Sequence, residues 1–123
     1  MNNELANKAK VLFAQGDVEI SRAEKFIKDN FDGKVRTCSR RAAGFYIDGL
    51  LNIKPGKSYG KSFMTHLKAL SLDNSIPGDI KKSAEILIER ISVRKISGIT
   101  ALENAKNIIN YCKEEFKIFS EDK

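Results

Sequence analysis

Tryptophan is absent from this 123-residue chain, and proline and cysteine occur only twice each. Histidine occurs once, at His66, so a multi-histidine metal set is excluded, and neither a metal nor a cofactor is expected. No apolar run approaches the ~20 residues that a membrane-spanning helix needs. Two cysteines, Cys38 and Cys112, are too few for a disulfide scaffold, and they fit small buried thiols in a reduced, cytoplasmic protein. The opening Met-Asn-Asn-Glu-Leu also lacks the basic-then-apolar pattern of a secretory leader.

Hydrophobic residues make up 41% of the chain and charged residues 31%, so a packed core is within reach of a single domain spanning 1–123. The 22 Lys and Arg against 16 Asp and Glu leave a formal charge of +6, unevenly spread. Between Lys34 and Lys95 there are 13 basic and 5 acidic residues, a net of +8, whereas the two ends together carry a net of −2. A basic middle with mildly acidic ends favours a polyanionic partner, such as nucleic acid or another protein's acidic face.

Apolar residues recur at helical spacing throughout. Leu5, Ala9, Leu12, Phe13, Gly16, Ile20, Ala23 and Ile27 form one stripe, with Lys8, Lys10, Glu19 and Lys25 placed off it, and Asn30, Asp32 and Gly33 end the segment. A second stripe holds Val35, Cys38, Ala42, Phe45, Gly49 and Ile53. Its small residues, Ala42, Ala43, Gly44 and Gly49, suit close approach of another helix or another chain. Phe63, Leu67 and Leu70 mark a short third helix, Ile80, Ala84, Leu87 and Ile91 a fourth starting at Pro77. Thr100 with Glu103 has capping-box spacing before Leu102, Ala105, Ile109, Cys112, Phe116 and Phe119. No strand alternation is present. The pattern predicts an all-α fold, an antiparallel up-and-down bundle of four long helices and one short one, over 4–29, 34–53, 62–71, 77–95 and 99–119.

The turn Gly56-Lys57-Ser58-Tyr59-Gly60-Lys61-Ser62 resembles a phosphate-binding loop. It has three residues between its glycines where that motif needs four, and it follows a helix rather than a strand. Lys57 and Lys61 remain candidates to touch a phosphate. Arg36 and Arg40 stand one turn apart on a single face, with Arg41 beside them, and can grip a phosphate or carboxylate together. Arg90 and Arg94 make a similar group at the end of the fourth helix. The expected functional surface is therefore a basic groove bounded by Arg36, Arg40, Arg41, Lys57, Lys61, Arg90 and Arg94. Tyr46 and Tyr59 are candidates for stacking on a base, and His66 for acid–base chemistry or a boundary hydrogen bond.

The run from Arg36 to Leu51, Arg-Thr-Cys-Ser-Arg-Arg-Ala-Ala-Gly-Phe-Tyr-Ile-Asp-Gly-Leu-Leu, resembles the small-and-aromatic second helix of the HEPN domain superfamily. Lys54-Pro55-Gly56 and Ser62-Phe-Met-Thr-His-Leu67 are similar to that family's connection and short helix. Many HEPN proteins are metal-independent ribonucleases with an Arg followed four to six residues later by His. No His follows Arg90 or Arg94 here, so the resemblance carries over no catalytic residue. It implies instead the branch that binds or adapts: a homodimer, an RNA- or nucleotide-binding module, or the partner of a nucleotidyltransferase. Two other readings stand beside it. One is an RNA- or nucleotide-processing enzyme using His66 with a nearby Arg; the other is a self-associating structural protein packed through Ala42 to Gly49.

Overall fold

The computed structural model describes residues 3–54, 59–89 and 96–121, with side chains to residue 119. They form five helices, α1 (Asn3–Lys28), α2 (Asp32–Ile53), α3 (Phe63–Leu72), α4 (Gly78–Ile88) and α5 (Gly98–Glu121). Among the described residues there is no strand, and the chain is an all-α bundle.

α2 packs against all four other helices, and 12 of its 22 residues are buried. That burial runs nearly around the helix, beyond the single expected stripe, because α2 is the central element. Its closest partner is α1. Small residues let the two backbones approach: a methyl group added at Gly16 would lie 3.1 Å from the Ala42 carbonyl oxygen, and one added at Gly49 would lie 3.1 Å from that of Ala9. The Tyr46 ring fills the space over Gly16 and stacks on Phe13 with ring centroids 4.5 Å apart. These pairings descend α2 as they ascend α1, so the two helices run antiparallel. Gly98 lies beside Val35 and Lys54 reaches Glu115, so α5 runs parallel to α2.

The small-residue face of α2 is thus consumed inside the chain. Ala42 and Gly49 meet α1, and Gly44 lies under the Phe63 ring of α3.

Several local expectations are corrected. The left-handed residue in the α1–α2 turn is Asn30, at φ 60°, and Gly33 sits inside the first turn of α2. The α5 N-cap is Ser97, whose Oγ accepts from the Thr100 amide at 3.1 Å; Thr100 is already in the helix. α3 opens on a capping box made by Ser62 and Thr65. α4 closes at Ile88, where Glu89 turns extended at ψ 127°, and residues 90–95 of the expected fourth helix lie outside the described residues. The Arg40 guanidinium takes the freed Leu87 and Glu89 carbonyls, at 2.5 and 3.3 Å. Glu19, expected off the apolar stripe, is 4% exposed.

Two glycines on helices respond to substitution in opposite directions. Gly16→Ala would press its methyl 2.6 Å from the Tyr46 ring; despite the better helix propensity of alanine, it lowers stability by about 1–2 kcal/mol. Gly78 has nothing within 4 Å of the corresponding position, so Gly78→Ala is neutral or stabilises by up to about 1 kcal/mol. Urea unfolding of both variants measures the difference, and equal effects would remove the close α1–α2 contact from the account.

Candidate nucleic-acid interface

Arg36 and Arg40 project from one face of α2 towards the corner between α4 and α5. Arg36 is 9% exposed, and its Nη1 donates to the Ile96 carbonyl at 3.1 Å. Arg40 is half-buried on the carbonyls that end α4. Among the described residues, no ion pair joins either guanidinium to a carboxylate. Burial, and then the charge of Arg36, push the ionisation of Arg40 below its usual range. Two neighbouring cations therefore share a partly desolvated corner with neutral carbonyls as their hydrogen-bond acceptors.

Arg41 does not join that pair. Its Nε lies 3.3 Å from Glu19 Oε2, and its guanidinium stands over the Phe63 ring at 5.8 Å. Glu19 also receives Arg22 Nη1 at 3.2 Å and the Cys38 thiol. Desolvation first, and then Glu19, push the Cys38 ionisation up, which keeps the sulfur protonated and unreactive. Sequence reasoning missed this buried carboxylate. The signal was its heptad spacing between Leu12 and Phe26, which places it on the edge of the apolar stripe.

The remaining candidates are distributed as follows. Lys61 is exposed near the start of α3. Lys57, Arg90 and Arg94 lie outside the described residues. His66 is 4% exposed, and its Nδ1 lies 3.2 Å from the Tyr59 carbonyl oxygen, a contact that needs a proton on that nitrogen. Tyr46 is 1% exposed, stacked on Phe13 and bonded to Asp17 at 2.6 Å. Tyr59 is 8% exposed and donates to Asp73. The expectation that these tyrosines stack on a base is corrected: both rings are already buried inside the bundle, where desolvation dominates. An apolar recess lined by Leu50, Leu70, Ile76 and Cys112 is edged by Tyr59, Tyr111 and Lys54, and Lys54 is paired to Glu115 at 2.9 Å.

Among the described residues, no cluster of three His, Cys, Asp or Glu side chains can hold a metal ion, and no helix is long and apolar enough to cross a membrane. No family model, no curated protein and no solved structure matches this chain.

Two measurements check the polar interior. The Ser39 hydroxyl is buried with no hydrogen-bond partner among the described residues, so Ser39→Ala stabilises by about 1 kcal/mol; a loss of stability would reveal a partner. All three tyrosines have raised ionisation, from desolvation first and then Asp17 for Tyr46, Asp73 for Tyr59 and Glu115 for Tyr111, which is pushed up to about 12. The folded state then holds protons that the unfolded chain releases near pH 10, so stability present below pH 10 is lost as pH rises towards 12. Tyrosinate absorbance at 295 nm should therefore rise together with loss of helical ellipticity, and independent titration near pH 10 would contradict the burial.

Proposed function

We propose that this protein is a non-catalytic binding module, an HEPN-like up-and-down bundle that captures the phosphates of RNA or a nucleotide at the Arg36–Arg40 corner. One observation supports this reading: two adjacent, partly desolvated guanidiniums with no ion pair to a carboxylate on either among the described residues. Such a pair is costly in an isolated protein and is relieved by an anion between or beside the two groups. Each guanidinium has five donors, and the bonds to Leu87, Glu89 and Ile96 use only part of that supply. The net +8 between Lys34 and Lys95 supports the same choice of ligand, because an excess of positive charge attracts polyanions.

The burial of His66 favours a binder over a processing enzyme. A general base must reach the 2′-hydroxyl of a ribose, and an imidazole 4% exposed and engaged with Tyr59 is held away from it. Arg41 is a supporting cation in this reading, held in place by Glu19. The partners it implies are a second copy of the chain and, from the HEPN resemblance, a nucleotidyltransferase.

Titration with labelled single-stranded RNA at low and moderate salt tests the proposal. Binding should fall steeply as salt rises, and the RNA should stay intact. Arg40→Gln retains a donor for the α4 carbonyls and removes the charge, so affinity should drop about tenfold while the helical signal is kept. Inorganic phosphate should raise the melting temperature of the native protein above that in chloride of equal ionic strength. Cleaved RNA would overturn the non-catalytic reading. Absence of binding at low salt, with no phosphate effect on melting, would overturn the site.

A further inference from the structure

Among the described residues, α1 contacts only the helices α2 and α5, and its opposite face is exposed. Glu4, Asn7, Val11, Ala14, Val18, Ser21 and Lys25 recur there at steps of three and four residues, and all seven are exposed. Val11 and Val18 are 60% and 52% exposed. From Asn7 to Ser21 this stripe carries no charge, in a chain that is 31% charged. The charges lie at its two ends and have opposite sign, Glu4 at one and Lys25 at the other.

We infer that this face of α1 is a self-association surface, on which two copies of the chain pair their first helices antiparallel about a two-fold axis near Ala14. In that register the valines of one copy come level with those of the other, and Ala14 at the centre lets the helices approach. Glu4 of each copy then lies alongside Lys25 of the second copy, giving one opposite-charge pair at each end. A parallel pairing would set Glu4 against Glu4 and Lys25 against Lys25. Lys8 and Arg22 approach on one flank of the antiparallel pair, and Glu19, ion-paired to Arg22, offsets that contact. A helix of 26 residues is about 39 Å long, so the stripe buries roughly 800 Å² in total. That lies below the ~1,200 Å² typical of a tight specific interface and implies a weak, concentration-dependent dimer. The inference deepens the proposed function by placing its second copy on α1, away from the arginine corner.

Sedimentation equilibrium of the full chain from micromolar to millimolar concentration tests it, alongside RNA binding. The native protein should pass from monomer to dimer over this range. Val11→Lys with Val18→Lys should stay monomeric with an unchanged melting temperature, since both side chains face solvent. Glu4→Lys and Lys25→Glu should each weaken the dimer several-fold, and the double variant E4K/K25E should restore it to within about twofold of the native protein. A native chain that stays monomeric at every concentration would overturn the inference. So would a dimer that survives both valine substitutions, or a double variant no better than the single ones. RNA binding retained in the monomeric variant would leave the arginine corner standing on its own.

Discussion

The contact between α1 and α2 is the constraint from which the rest of the structure follows. Glycine at positions 16 and 49, with Ala9 and Ala42 opposite, brings the two backbones too close for larger side chains. Tyr46 and Phe13 then stack in the space beside them, and Phe116 of α5 meets Phe13 edge-on at 5.3 Å. One tight seam therefore recruits the third long helix through aromatic contacts. α3 is seated by a second close approach, where Phe63 covers Gly44. Because α2 takes part in both contacts, it becomes the helix around which the others are arranged.

That centrality explains where the arginines end up. A helix enclosed on nearly every side has no wide solvent face for its charged residues. Arg36, Arg40 and Arg41 extend instead to the gaps between neighbouring elements. Arg41 reaches the α1 side and finds Glu19, so its charge is matched. Arg36 and Arg40 reach the α4–α5 side, where their acceptors among the described residues are main-chain carbonyls. A helix C-terminus favours a cation through its dipole, but the dipole amounts to about half a charge and leaves most of two guanidinium charges uncompensated. The same packing that stabilises the bundle thus creates an electropositive corner. The proposed ligand chemistry comes from that residue of charge.

Several buried polar groups share a pattern in which a ring or thiol is tied to one acidic or main-chain partner. Tyr46 is tied to Asp17, Tyr59 to Asp73, Cys38 to Glu19 and His66 to the Tyr59 carbonyl. Each bond removes a group that composition alone offers as reactive. Ser39 departs from it, a hydroxyl enclosed with no hydrogen-bond partner among the described residues. Its place on α2, which packs against all four other helices, accounts for its burial, and nothing in the structure explains why a hydroxyl stands there.

Helix content, the approximate bounds of α1, α2, α3 and α5, and most of the core were legible in the sequence, because apolar spacing reports which side of a helix avoids water. Ala9, Ala42, Leu67, Leu87 and Ala105 are all fully buried where periodicity placed them. Clustering of Arg36 and Arg40 on one face was legible for the same reason, since one helical turn fixes it. The end of α4 at Ile88 was not, because the Arg40 bonds to its last carbonyls come from 47 and 49 residues away. Nor was the burial of Glu19, Tyr46, Tyr59 and His66, whose environments are assembled from different helices. Local spacing determined the elements and their apolar faces; the tertiary structure decided which polar side chains met a partner, because desolvation and pairing depend on neighbours distant in the chain.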